Sequence, residues 1–258
     1  MPCGVSFNTP QGKGEGEEWG GEILLFTKPP IFTSLELLNP APRRAGLTPD
    51  EMNCQILKAN RRGIEKAAQW ILRGKVVAFP TETFYGLGVD VLDAEALQQI
   101  FRIKQREEDK PLLLLVADRT WLPGLVKNIP PRADPLMEKF WPGPLTLVFE
   151  ASPHLSPLLT ANTGKIGLRI SSHPVAQALV RVVGRAITAT SANVSGQPSA
   201  SEAREVFQSL GKRIGVILDG GKTAGGLGST VVDVSGVSPK IIRQGVIPQA
   251  ELAPFLTK

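Results

Sequence analysis

Lys75-Val76-Val77-Ala78-Phe79-Pro80-Thr81-Glu82-Thr83-Phe84-Tyr85-Gly86-Leu87-Gly88 is the stretch from which the rest of the chain can be read. Val76 to Phe79 is a short unbroken apolar run, which suits a strand covered on both faces. Pro80 closes it, and two threonine hydroxyls follow at the strand's end. Gly86 and Gly88 then allow close backbone approach. Ligands of α/β proteins collect at such sheet ends. A plain β-turn would use the same residues, so this stretch by itself gives a buried strand and leaves a site open.

Outward from this strand, helices and strands alternate. Upstream, Asn60 can cap a helix whose apolar face is Ile64, Ala67, Ala68, Ile71 and Leu72, ending at Gly74. Downstream, Asp93 can cap a second helix with Leu97, Ile100 and Phe101 facing inward, and Pro111–Val116 reads as another buried strand. A helix near Asp134–Phe140 runs into Trp141-Pro142-Gly143-Pro144, which predicts a turn. Strands are expected at Leu145–Phe149, Ile166–Ile170, Ala186–Thr190, Ile214–Leu218, Thr230–Val234 and Lys240–Arg243. Helices are expected after Pro174 and near Ser201–Leu210. The last strands have no helices between them. The expected fold is therefore α/β with one twisted, mixed sheet and flanking helices, in a single domain over residues 60–250. Residues 1–59, with a Gly- and Glu-rich start and prolines at 29, 30, 40 and 42, read as a partly disordered extension, and residues 251–258 as a tail. Within the extension, Ile23–Phe26 is the segment best suited to dock.

Composition narrows the function classes. The longest apolar run, Pro111–Ala117, falls far short of the roughly 20 residues that cross a bilayer. The first twenty residues carry Gly, Glu and Lys in place of an apolar signal core, so no membrane partner and a cytoplasmic setting are expected. Cys3 and Cys54 make no disulfide framework, and His154 and His173 stand outside any zinc-ligand spacing. The formal net charge of +5 favours anionic partners, although a solvated basic surface gives the same count.

Three further segments could carry chemistry. Lys104-Gln105-Arg106 with Lys110-Pro111 ends the second helix. Lys104 lies seven residues after Leu97, near the inward stripe. These cations could converge on polyphosphate, or simply solvate a helix end where cations are favoured. Thr188–Gly196 places Ser191 and Asn193 just beyond a strand, where capping is the plain alternative. Gly225-Gly226-Leu227-Gly228-Ser229-Thr230 could cradle an anion on backbone N–H groups. Gly220-Gly221-Lys222-Thr223 lacks the spacing and the helix of a Walker loop, and no Ser-His-Asp set is apparent. His173, before Pro174, suits a helix start better than a base.

Taken together these strings resemble the YrdC/TsaC family of threonylcarbamoyl-adenylate synthases. The matching residues are Pro80–Gly88, Lys104-x-Arg106 with Lys110-Pro111, Trp141–Thr146, Gly167-Leu168-Arg169 with His173-Pro174, Ser191-x-Asn193-x-Ser195-Gly196, Gly228–Thr230 and Ile242–Gly245, in the family's order over about 180 residues. The resemblance implies a twisted α/β fold around a large basic cavity. It implies that ATP, bicarbonate and L-threonine become threonylcarbamoyl-AMP and pyrophosphate with Mg2+, and that a tRNA threonylcarbamoyl transferase complex takes the product. By matching position, Lys104, Arg106, Ser191 and Asn193 would be catalytic. Thr83, Arg169 and Ser229 would hold threonine, and Arg106, Lys110, Ser191, Ser199 and Arg243 the nucleotide. Two positions depart from the pattern: Phe84 replaces a smaller aliphatic residue, and Glu107 replaces a common proline.

Two other readings use the same residues. One is a non-catalytic module binding double-stranded RNA or tRNA through the basic cavity; a single Tyr and four Trp leave few stacking faces for it, so binding would be phosphate-driven and steeply salt-dependent. The other is carbamoyl transfer to a different amine, which threonine-dependent pyrophosphate release would separate from the first.

Overall fold

The computed structural model describes residues 54–256. Cys3, Ile23–Phe26 and the remainder of residues 1–53 lie outside the described residues. In chain order the elements are β1 (Gln55–Lys58), α1 (Arg61–Leu72), β2 (Val77–Pro80), β3 (Tyr85–Gly88), α2 (Ala94–Lys104), β4 (Leu113–Leu115), α3 (Leu122–Leu125) and α4 (Asp134–Phe140). There follow β5 (Leu145–Glu150), α5 (Pro157–Thr160), β6 (Lys165–Arg169), α6 (Pro174–Val183), β7 (Ile187–Thr188) and β8 (Thr190–Ser191). The chain continues with α7 (Ala203–Leu210), β9 (Val216–Asp219), β10 (Thr230–Asp233), β11 (Lys240–Arg243) and α8 (Gln249–Leu256).

The fold is mixed α/β with flanking helices, but it has two sheets where one was expected. The first has the order β1-β9-β2-β3-β8, and the second β11-β10-β5-β6-β4-β7. Both mix parallel and antiparallel pairs. The split occurs inside the single strand expected at Ala186–Thr190. Ile187 and Thr188 pair antiparallel with β4 in the second sheet. Two residues on, Thr190 and Ser191 pair antiparallel with β3 in the first. Ala189 is the crossing point, its N–H bonded to Leu113 O at 2.8 Å. A residue that must leave one ladder and enter another has no local sequence signature, because both halves retain strand-like side chains.

The helix expectations rest on local physics and hold. In α1, Ile64, Ala67, Ala68 and Ile71 are buried, with the spacing of one helical face. The Asn60 side chain accepts the Gly63 N–H at 2.9 Å. Asn60→Ala is therefore expected to cost about 1 kcal/mol, seen as a lower urea midpoint at constant slope. Asp93 caps α2 by accepting the N–H groups of Glu95 and Ala96. The apolar face of α1 packs on α6 and on β9. Phe79 from β2 and Leu87 from β3 fill the centre of the first sheet, both fully buried.

Regular structure begins before Asn60 and continues past residue 250. β1 pairs parallel with β9 from Gln55↔Val216 to Lys58↔Asp219. α8 buries Leu252 and sets Phe255 edge-on to Phe140, with ring centroids 5.6 Å apart. Neither was expected: β1 is a four-residue edge strand, and α8 contains Pro254, a poor helix former. No helix among the described residues is long and apolar enough to cross a membrane.

Candidate active site

Between the two sheets lies a cavity of about 440 Å³. Its wall is assembled from the β2–β3 turn (Thr81, Thr83, Phe84), the end of α2 (Arg106), the end of β6 (Arg169), β8 (Thr190, Ser191), Ser199, the loop before β10 (Leu227, Gly228, Ser229) and the end of β11 (Arg243, Gln244). Segments more than 150 positions apart in sequence meet here. Of the residues singled out above, Thr83, Arg106, Arg169, Ser191, Ser199, Ser229 and Arg243 all line this one space.

The β2–β3 turn is tied internally. The Thr81 hydroxyl donates to Phe84 O at 2.7 Å and sits 3.1 Å from the Thr83 hydroxyl. Thr83 O in turn accepts the Gly225 N–H at 2.8 Å, which fastens the loop before β10 to the turn. Gly225 and Gly226 have φ of +67° and +74°, values at which a side chain would be strained. The Gly225 N–H is thus spent on protein, and Leu227, Gly228 and Ser229 are the part of the loop that faces the cavity.

Ser229 is held from two sides. Its hydroxyl lies 2.8 Å from that of Thr146 on β5, and Arg243 Nη2 donates to Ser229 O at 2.9 Å and to its hydroxyl at 3.1 Å. Gly245 makes this possible, since a Cβ there would fall 2.3 Å from Gly228 O. Thr230 Oγ1 accepts the N–H groups of Gly245 and Ile247, each at 3.0 Å. The Gly228–Thr230 and Ile242–Gly245 strings are thus two halves of one packed unit.

The cations differ in setting. Arg169 is buried, 3.7 Å from Glu82. Arg106 is half-buried and donates to Lys110 O and Pro111 O, the latter at 2.9 Å. Arg243 stands exposed at the mouth. Burial holds the guanidiniums of Arg106 and Arg169 below their ordinary range; Asp109 and Glu82 respectively offset part of that lowering, and the positive charge of Arg243 adds to it in both. The Arg243 cation is thus felt by both of the other two, and an anion placed beside it would relieve that repulsion.

Lys104 and Asn193, which the resemblance makes catalytic, do not line the cavity and sit directly behind Ser191. The Lys104 ammonium is 2% exposed and donates to Ser191 O, to Asn193 O at 2.8 Å and to Asn193 Oδ1 at 3.2 Å. Its backbone carbonyl also accepts the Ser195 N–H at 2.8 Å. Burial, and next the Arg106 cation, push this amine down to about 7. The two residues hold Ser191 at the cavity rather than forming its surface. Lys110 also points elsewhere: its ammonium pairs with Glu107 at 2.7 Å on the exposed side of the loop. His173 caps α6, its Nδ1 accepting the Val175 N–H at 3.2 Å, and burial lowers its pKa.

The wall also includes Thr81, Phe84, Thr190, Leu227, Gly228 and Gln244, which lie in or beside the strings read above but were given no individual role there. Glu82 and Thr146, set just behind the wall residues Arg169 and Ser229, were likewise given none.

A family model named Sua5_yciO_yrdC, described as telomere recombination, matches residues 69–245. A threonylcarbamoyl-AMP synthase of Pyrococcus abyssi is 41% identical over 189 residues, covering 73% of this chain and 56% of that protein. The threonylcarbamoyl-AMP synthase of Bacillus subtilis is 41% identical over 197 residues, covering 76% of this chain and 57% of that protein. The crystal structure of P. abyssi Sua5 complexed with L-threonine superposes with a TM-score of 0.75 at 38% identity, covering 79% of this chain and 60% of that one. The chain thus spans a little over half the length of these curated relatives.

Proposed function

The chain belongs to the Sua5/YciO/YrdC family, and from that membership we propose that it is an L-threonylcarbamoyladenylate synthase. The observation that carries the reading is the convergence of Arg106, Arg169 and Arg243 with the hydroxyls of Thr83, Ser191, Ser199 and Ser229 on one cavity. Such a wall suits a polyphosphate and an amino acid held side by side.

The reaction has two steps. The threonine amine adds to bicarbonate with loss of water, giving a carbamate. A carbamate oxygen then attacks the α-phosphorus of ATP, the α–β bridging bond breaks, and pyrophosphate leaves with the electron pair. Two anions must approach and charge builds on the leaving group, so positioning and cationic stabilisation supply the catalysis. Arg106 and Arg243, toward the mouth, would meet the triphosphate with Ser191 and Ser199. Thr83, Ser229 and Arg169 would hold threonine. Lys110 would join the nucleotide only by leaving Glu107. The wall offers guanidiniums and hydroxyls rather than carboxylates, so Mg2+ would arrive with the ATP phosphates. The product is a reactive mixed anhydride and would pass to a tRNA-modifying transferase, with the cytoplasm as the setting.

The test is pyrophosphate release from Mg2+-ATP in bicarbonate buffer, with and without L-threonine and with L-serine as control. Release that requires both bicarbonate and threonine is expected. Release without threonine, or none from folded protein, overturns the reading.

A further inference from the structure

One buried pair at the cavity wall includes a residue, Glu82, to which the roles above give no part. Arg169 Nε and Glu82 Oε1 are both buried, and neither has a hydrogen-bond partner among the described residues. They face each other at 3.7 Å, beyond hydrogen-bond length. The other carboxylate oxygen, Glu82 Oε2, accepts the Ser171 hydroxyl. Ser171 is itself fixed at the start of α6: its Oγ accepts the His173 N–H at 3.2 Å, and its carbonyl accepts from Gln177 Nε2 at 2.8 Å. Glu82 is thus anchored by one oxygen, with the second aimed at the back of a guanidinium whose charge lines the cavity.

Resting on the synthase reading, we propose that Glu82 is a positioning residue that holds the Arg169 guanidinium for the carboxylate of the amino-acid substrate. Two arguments set this corner apart from the phosphate end. Charge balance is the first. Arg169 has a buried carboxylate at 3.7 Å, so the corner is near neutral and suits a zwitterion, whereas Arg106, which feels the exposed Asp109 from farther off, and Arg243 together suit a polyanion. Geometry is the second. A guanidinium held at its Nε edge keeps its terminal nitrogens for a planar, two-oxygen partner. Without Glu82, the buried Arg169 would face the Arg243 cation with no anion beside it, and its fork would lose its orientation.

Glu82→Gln keeps the side chain's shape and its acceptor for Ser171 but removes the charge. In this variant the Kd and KM for L-threonine are expected to rise about tenfold, with the KM for ATP within about twofold of wild type. A purely structural role would move both substrates together. The double variant Glu82→Gln/Arg169→Lys is expected to bind threonine no more weakly than Arg169→Lys alone, because the two residues act as one unit. Should Glu82→Gln fold poorly, Ser171→Ala frees Glu82 Oε2 without altering charge and should raise the threonine Kd in the same direction. Unchanged threonine affinity in either folded variant, or additive losses in the double variant, overturns the proposal. A wild-type protein that neither binds threonine calorimetrically nor releases pyrophosphate overturns the synthase reading itself. That outcome is distinct, because the variants then have no wild-type signal to fall from.

Discussion

Arg106→Ala is expected to lower kcat for threonine-dependent pyrophosphate release by about 100- to 1000-fold, the range for removing one preorganised charge from a transition state that develops anionic character. Arg106 leaves α2 through Gln105, a left-handed residue with φ of 50°, which turns the chain so that the guanidinium reaches the cavity. The stability cost is small by comparison. Its hydrogen bonds go to Lys110 O and Pro111 O at the protein surface, where water can replace them, so a loss of about 1 kcal/mol is expected. Steady-state kinetics and a thermal melt on the same sample separate the two. Near-normal turnover would remove Arg106 from the reaction, and collapse of the melt would make its role structural.

Lys104→Met is expected to act through the fold. Methionine matches the lysine stem but donates nothing, so Asn193 O and Oδ1 lose their ammonium donor in a buried setting. A loss of roughly 2–4 kcal/mol follows, with a fall in kcat of about 10- to 100-fold as Ser191 loses its anchor. The pH dependence distinguishes this lysine from an ordinary polar contact. Unfolded, it keeps its proton up to its usual 10.5; folded, only up to about 7. Between those values the unfolded state binds more protons, so wild-type stability climbs with pH relative to the methionine variant, by on the order of 1 kcal/mol per pH unit. Urea unfolding at pH 7, 8 and 9 reads this directly. A gap that stays flat would mean that the folded amine titrates where a free lysine does.

Much of the scaffold was legible because its causes are local. The apolar spacing in α1 and α2, and the caps at Asn60 and Asp93, act over a few residues, and the structure bears them out. What escaped were elements whose stability comes from elsewhere. Tyr85–Gly88 holds two glycines and looks like a loop, yet it is β3. Gly88 is needed because a Cβ there would fall 2.7 Å from the Phe79 ring of the neighbouring strand. β1 carries no strong signal of its own and forms because β9 offers an open edge.

The same division runs through the site. By itself the sequence determined the chemical inventory: hydroxyls after a buried strand, cations at a helix end, a Ser-x-Asn loop and a glycine-rich approach to β10. Periodicity further placed Lys104 near an inward stripe. Only the tertiary structure decided how that inventory is used. It turned the Lys104 ammonium to the back of the Ser191 loop, pointed Lys110 at Glu107, and set Glu82 against Arg169. The reason is physical. A residue's local conformation answers to neighbours a few positions away, whereas its chemical role depends on which charges and acceptors lie within a few ångströms. For residues as far apart as Thr83 and Arg243, those neighbours exist only once both sheets have closed around the cavity.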